Sequence, residues 1–231
     1  MVVIACDRQG AIGPEPGRST VGTCEDVRLA VREGFPAVEV MVSVPTIASR
    51  AHHEGANFLV DRREVAAQEF FPELRKSSDP LCTSMARLSD PMNCITWHEA
   101  SEYCKSKGKR LPTEDEWGQV AKRISEQGEN PWSVDTDACN YAVLASDEGE
   151  GCGTGTAWPA LSKHRGITLD GVLNIAGNVS EWTATTEEHG MVVRGGSFRS
   201  PPSAGGILER RVVSPDTRDP AIGFRCVAWC K

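Results

Sequence analysis

An α+β domain dominated by loops, with two capped helices and a small sheet, is what this sequence predicts. Three observations predict it. Two capping boxes open helices in mid-chain, helix signals stop near Asn130, and nine cysteines fall largely into local pairs able to staple a loop-rich chain.

Residues 1–36 begin rich in Gly and Pro and then read Glu25 to Gly34 as a short amphipathic helix, ended by Gly34-Phe35-Pro36. They form an N-terminal extension, and the main domain is expected over residues 37–231. Val38 to Val44 and Phe58 to Val60 read as short strands, and Glu64 to Glu73 as a helix stopped around Pro72. Thr96-Trp97-His98-Glu99 is a capping box, and the helix it opens places Trp97, Ala100 and Cys104 on one face. Thr113-Glu114-Asp115-Glu116 is a second box, with acids in the first turn and Lys122 and Arg123 toward the end, as the macrodipole prefers. Beyond Asn130, glycine, proline and tryptophan separate short apolar runs, notably Met191 to Val193 and Gly223 to Val227. Six tryptophans and the cysteine staples are the expected core of that half.

The composition excludes several function classes. With 231 residues the chain can bury a sizeable core, but no apolar run approaches the roughly 18 to 20 residues of a spanning helix. Its mean hydropathy of -0.33 agrees. A net charge of -7 with both signs interspersed leaves no basic stripe to follow a phosphate backbone, so nucleic acid is not an expected partner. Cys6 with Cys24, Cys82 with Cys94 and Cys139 with Cys152 are the local cysteine pairs, and no C-x-x-C spacing suggests zinc or a redox dithiol. This usage favours an extracytoplasmic compartment reached through a removed leader; Val3-Ile4-Ala5-Cys6 resembles a lipoprotein cleavage site, but its apolar stretch is too short to be one as written. The alternative is a cytosolic protein whose cysteines are small core residues.

Several phrases follow one another along the chain. They are Phe58-Leu-Val-Asp-Arg-Arg-Glu-Val65, Cys94-Ile-Thr-Trp-His-Glu-Ala-Ser-Glu-Tyr-Cys104 and Gly108-Lys-Arg-Leu-Pro-Thr-Glu-Asp-Glu-Trp117. Asn174-Ile-Ala-Gly-Asn-Val-Ser-Glu-Trp182, Arg194-Gly-Gly-Ser197 and Gly223-Phe-Arg-Cys226 come after them. Together they resemble the formylglycine-generating enzyme family, also called the sulfatase-modifying factor domain, over roughly Val38 to Cys226. The resemblance implies a C-type-lectin-like fold with a twisted antiparallel core. It also implies a Cys104–Cys226 disulfide, which leaves Cys230 as the odd thiol.

Enzymes of this family hold copper(I) on two cysteines in the loop after Arg-Gly-Gly-Ser and oxidise a substrate cysteine. Those positions fall here on Ser200 and Gly205. A hydroxyl is a poor ligand for a soft metal and glycine offers none, so copper chemistry is expected to be absent. Ser197 and Ser200 lack the base and orienting acid a nucleophile needs, because His52, His53, His98, His164 and His189 sit in contexts that pair with neither. No catalytic residue is expected.

The family's structural calcium ligands correspond to the side chains of Asn174 and Glu181 and the carbonyls of Gly177 and Val179, all compatible with a hard cation. A second calcium set would use Asn140 and Tyr141, but its acidic partner aligns near Gly151, with Asp147 and Glu150 only as neighbours. Arg194, Ser197, Arg199, Ser200, Glu209 and Arg210, with Arg211 alongside, crowd the loop and form the expected recognition surface for a protein or peptide. The chain is therefore expected to be a non-catalytic binding or structural module. The alternatives are a divergent enzyme or maturation factor using the same cleft, or a hypervariable lectin-like ligand binder. The last is disfavoured because Ser197 to Arg225 contains no Asn or Tyr.

Overall fold

The computed structural model describes residues 41–44, 58–70, 82, 87–125, 130–133, 136–203 and 206–229. Two small sheets organise these residues. Strands β1 (Met41–Val44), β2 (Phe58–Asp61) and β7 (Val227–Trp229) form one, in the order β1-β2-β7 and antiparallel throughout. Strands β3 (Ser180–Glu187), β4 (Gly190–Arg194), β5 (Arg210–Val213) and β6 (Ile222–Gly223) form the other, in the order β5-β4-β3-β6. Within this sheet β3 and β6 pair in parallel and the other neighbours antiparallel.

Both capping boxes close. Helix α1 (Trp97–Ser106) starts with Thr96 Oγ1 accepting from the Glu99 amide, while Glu99 accepts from the Thr96 amide. Thr113 and Glu116 repeat the exchange at α2 (Glu114–Ala121). Each box satisfies two of the backbone donors that a helix start leaves open.

Ala100 and Cys104 of α1 pack with Leu111, Trp182, Met191, Val193 and Phe224 in one apolar cluster, with Trp97 at its margin. Trp117 and Val120 of α2 pack with Phe58, Val60, Ile175 and Val227 in another. Full burial of each such side chain contributes on the order of 2 kcal/mol. The disulfides Cys104–Cys226, Cys82–Cys94 and Cys139–Cys152 are formed, the first joining α1 to the chain just before β7. Among the described residues no helix is long and apolar enough to cross a membrane.

Two expectations are corrected. Of the helix expected over Glu64 to Glu73, the described residues up to Phe70 hold only a 3-10 turn at Ala67–Glu69, because Val65 is drawn into extended pairing with the Phe224 carbonyl and the Met92 amide. The tryptophans are not the core as a group: Trp117 and Trp182 are fully buried, whereas Trp229 is half exposed. Ser180–Glu187 and Arg210–Val213, not singled out in the sequence, are strands on either side of β4; burial alternates along β5, whereas the first four residues of β3 are all buried. The helix over residues 25–34, the boundary at residue 37, the Cys6–Cys24 pair, Gly205 and Cys230 lie outside the described residues.

Candidate functional site: a charged cleft above a buried polar centre

Strand β4 is followed by Gly195 and Gly196, both at positive φ (99° and 67°), the first in a region that favours glycine. A Cβ on Gly195 would stand 2.9 Å from the Trp117 ring, so the chain turns flat against α2 before entering the loop. Phe198 anchors that loop beneath the surface, packed with Val143, Val179 and Ala221. Its amide donates to the Asn178 carbonyl at 2.8 Å, and the Ala145 amide donates to the Ser200 carbonyl at 3.0 Å. Ser200 Oγ accepts from the Ser197 amide at 3.0 Å and Ser197 Oγ accepts from the Arg199 amide at 3.2 Å. Both hydroxyls are thus used within the loop, and neither bonds a histidine or carboxylate among the described residues.

A cleft of about 370 Å³ opens beside this loop. Ser197, Arg199, Ser200, Pro201, Glu209, Arg211, Asp219 and Ala221 line it. Arg199 approaches Glu150 at 3.5 Å and Asp219 at 3.4 Å, while Arg211 approaches Glu209 at 3.4 Å. Arg194 and Arg210 are engaged elsewhere. Arg210 donates to both Glu114 and Glu187, which holds the Glu187 carboxyl below its ordinary value. The Arg194 guanidinium lies 5.3 Å from the Trp117 ring centroid and donates to the Ile207 carbonyl. Asp219 and Ala221 had no sequence signal of their own: they reach the cleft because the chain around them leads into β6, beside β3.

Under the cleft the segment Asn174 to Glu181 turns through three residues of positive φ, Asn174, Gly177 and Asn178. Glu181 is buried, bonded at both oxygens by Arg225 over 2.6 to 3.0 Å and by Trp117 Nε1 at 2.9 Å. Asn174 and Asn178 turn their side-chain amides onto Glu64, at 3.0 and 2.8 Å. Sequence reasoning missed Glu64, which is 0 % exposed. Burial pushes its carboxyl from 4.5 up to about 7, against the opposing pull of Arg225, and nearby Glu181 pushes the same way. Asn174 Oδ1 is buried without a hydrogen-bond partner. Two buried carboxylates against one guanidinium, with an orphaned carboxamide oxygen beside them, is a donor set that fits a hard cation.

The family model described as the sulfatase-modifying factor enzyme 1-like domain matches residues 35–229. The chain belongs to the sulfatase-modifying factor family. Among its relatives, the inactive C-alpha-formylglycine-generating enzyme 2 of Bos taurus is 27 % identical over 172 residues, covering 67 % of this chain and 55 % of the relative. The formylglycine-generating enzyme of Thermomonospora curvata is 32 % identical over 174 residues, covering 62 % of this chain and 56 % of the relative. The chain thus spans about half the length of these curated relatives. Its fold is that of the Treponema denticola variable protein 1, with a TM-score of 0.60 at 18 % identity over 84 % of this chain and 97 % of that one.

Within this sulfatase-modifying factor domain the second expected cation set is less well gathered. Asn140 is exposed and its amide donates to Asp137 at 3.3 Å. Gly166 presses on the Tyr141 carbonyl so closely that a Cβ there would stand 2.2 Å away. Glu150, next to Gly151, reaches Arg199 instead. No group of three or more His, Cys, Asp or Glu side chains gathers among the described residues, so any cation held by this domain takes much of its coordination from carbonyl and amide oxygens.

Proposed function

We propose that this is a non-catalytic sulfatase-modifying factor domain whose cleft beside the Ser197–Pro201 loop receives a peptide segment of another protein. The observation that carries the reading is at Ser200. It stands at the family's first copper-binding position, and its hydroxyl is engaged by the Ser197 amide. A soft metal finds no sulfur ligand in the cleft lining, and the hydroxyl has no base to make it a nucleophile. Similarity to a relative named as inactive supports the same reading. Incubation with copper(I) and a sulfatase-type cysteine peptide is expected to yield no formylglycine by mass spectrometry, and turnover would overturn the proposal. Pull-down from the native source should lose partners with Arg199→Glu combined with Ser200→Asp. Recovery of the same partners would remove the cleft as the binding surface.

Calcium is proposed as a structural ion of the buried centre, held by Asn174, Glu181 and the Gly177 and Val179 carbonyls, with Glu64 added to the set. When bound it would supply positive charge and hold the turn beneath the cleft. The sign of the pH dependence tests this. Glu64 is easier to protonate in the folded state than in the unfolded state, so its contribution is fully present below about 4.5 and is lost as pH rises through about 7. The loss is on the order of 3 kcal/mol. Glu99 and Glu116 act in the opposite sense. Burial raises them, but bonds from Arg218 and Arg110 outweigh it, so their contribution is present above about 4.5 and lost below. In EDTA the melting temperature should therefore fall between pH 5 and 7.5, and calcium should restore it at the upper pH by favouring ionised Glu64. Glu64→Gln is expected to flatten both responses. A melting temperature indifferent to calcium at every pH would remove the ion from this centre.

A further inference from the structure

We propose that the cleft binds a carboxylate of its peptide ligand, an acidic side chain or a chain terminus, between the guanidinium groups of Arg199 and Arg211. This rests on the peptide-binding reading above and narrows it.

Most arginine pairs away from the cleft are short: Arg110–Glu116 at 2.5 Å, Arg63–Glu69, Arg218–Glu99 and Arg225–Glu181 at 2.6 Å, and Arg210–Glu114 at 2.7 Å, with Arg194, 3.6 Å from Glu114, as the exception. In the cleft the pairs are longer, and the one hydrogen bond among them, from Arg199 to Asp219, is 3.4 Å. Arg199 is 3.5 Å from Glu150 and 3.4 Å from Asp219, and Arg211 is 3.4 Å from Glu209. Arg211 donates from one terminal nitrogen to Ser180 Oγ at 3.2 Å, while its buried Nε, the atom 3.4 Å from Glu209, makes no hydrogen bond. A buried donor left unmatched is unfavourable and uncommon in folded proteins. The side chains of Arg199 and Arg211 nonetheless remain 34 % and 40 % exposed. The fold therefore holds two guanidinium forks at one cleft, oriented by acids but not saturated by them.

The geometry selects the ligand's charge. A guanidinium fork matches a planar carboxylate through two parallel bonds. Glu209 and Asp219 leave the lining formally balanced, two positive groups against two negative. A single negative charge can be accepted there, whereas a phosphate dianion would meet both carboxylates at close quarters. Pro201 and Ala221 add apolar surface for the carbon part of the ligand.

Amide chemical shifts of the full chain test the assignment. The probes are the capped tripeptides Ac-Ala-Glu-Ala-NH2 and Ac-Ala-Gln-Ala-NH2, the free acid Ac-Ala-Ala-Ala-OH, and inorganic phosphate. Saturable shifts confined to residues 197–200, 209–211 and 219 are expected with at least one carboxylate probe and not with the glutamine peptide. The two carboxylate arms tell a side chain from a terminus. Arg199→Gln and Arg211→Gln, each with unchanged spectral dispersion elsewhere, should each weaken binding about tenfold, the scale of one lost charge-assisted bond pair. Equal shifts with the glutamine peptide, saturation by phosphate alone, or no saturation by any carboxylate would each overturn the proposal. The pull-down separates this from the broader reading. Partner loss with Arg199→Glu and Ser200→Asp, but no carboxylate binding, leaves a recognition cleft of different chemistry. Carboxylate binding with unchanged partners leaves the subsite and removes the protein-binding role.

Discussion

Arg225→Leu is expected to lower unfolding stability by about 3 to 5 kcal/mol, the range for breaking a buried ion pair from one side. Arg225 is 1 % exposed. It neutralises Glu181 and also donates to the carbonyls of Leu173 at 2.9 Å and Asp61 at 3.2 Å. Its removal strands the Glu181 carboxylate in the interior with Trp117 Nε1 as the remaining hydrogen-bond donor among the described residues, beside a Glu64 that already resists ionisation. The midpoint in urea should shift at constant slope. The double variant Arg225→Leu with Glu181→Leu should recover a good part of the loss, because it leaves no unpaired charge. Arg225→Lys should fall between, keeping the charge and losing the fork. A loss below about 1 kcal/mol for Arg225→Leu would mean that water or an ion reaches Glu181.

Removing the Cys104–Cys226 disulfide by Cys104→Ser with Cys226→Ser should cost about 5 kcal/mol in the chain-entropy treatment, since the bond closes 122 residues. Cys139→Ser with Cys152→Ser, opening only 13 residues, should cost about 3 kcal/mol. The ranking is the sharper part of the prediction. Cys104 and Cys226 are both 0 % exposed in the cluster around Trp182, so their loss also loosens packing, whereas Cys139 and Cys152 lie nearer the surface. Equal midpoints in urea for the two double variants would show that the long bridge acts on something other than the unfolded chain.

What could be foreseen from sequence follows the distance over which each device operates. Thr96 with Glu99 and Thr113 with Glu116 complete their boxes within four residues, so both helix starts were legible. Glu64 was not: its partners Asn174 and Asn178 lie 110 and 114 residues away, and nothing in Arg63-Glu64-Val65 distinguishes a buried acid from a surface one. The same distance defeats the helix expected at Glu64 to Glu73, since Val65 is held by Phe224 and Met92. At the cleft, Ser197, Arg199, Ser200 and Glu209 could be named from the loop, but which arginines pair tightly could not. Whether Arg210 closes on Glu114 or Arg211 stays open beside Glu209 depends on which face of β5 each occupies.

The β1-β2-β7 sheet also has a mechanical meaning. Met41 is registered against Asp61 and Trp229 against Phe58, so β1 and β7 run parallel on either side of β2, with the entry of one and the exit of the other at opposite ends. Tension applied through residues 41 and 229 would load the ladder lengthwise, straining its hydrogen bonds together instead of unzipping them in turn. A pull from the C-terminal side could strip β7 only as far as Cys226, where the covalent link to Cys104 halts it. The bridge that limits the unfolded chain in solution therefore also serves as a stop against extension under load.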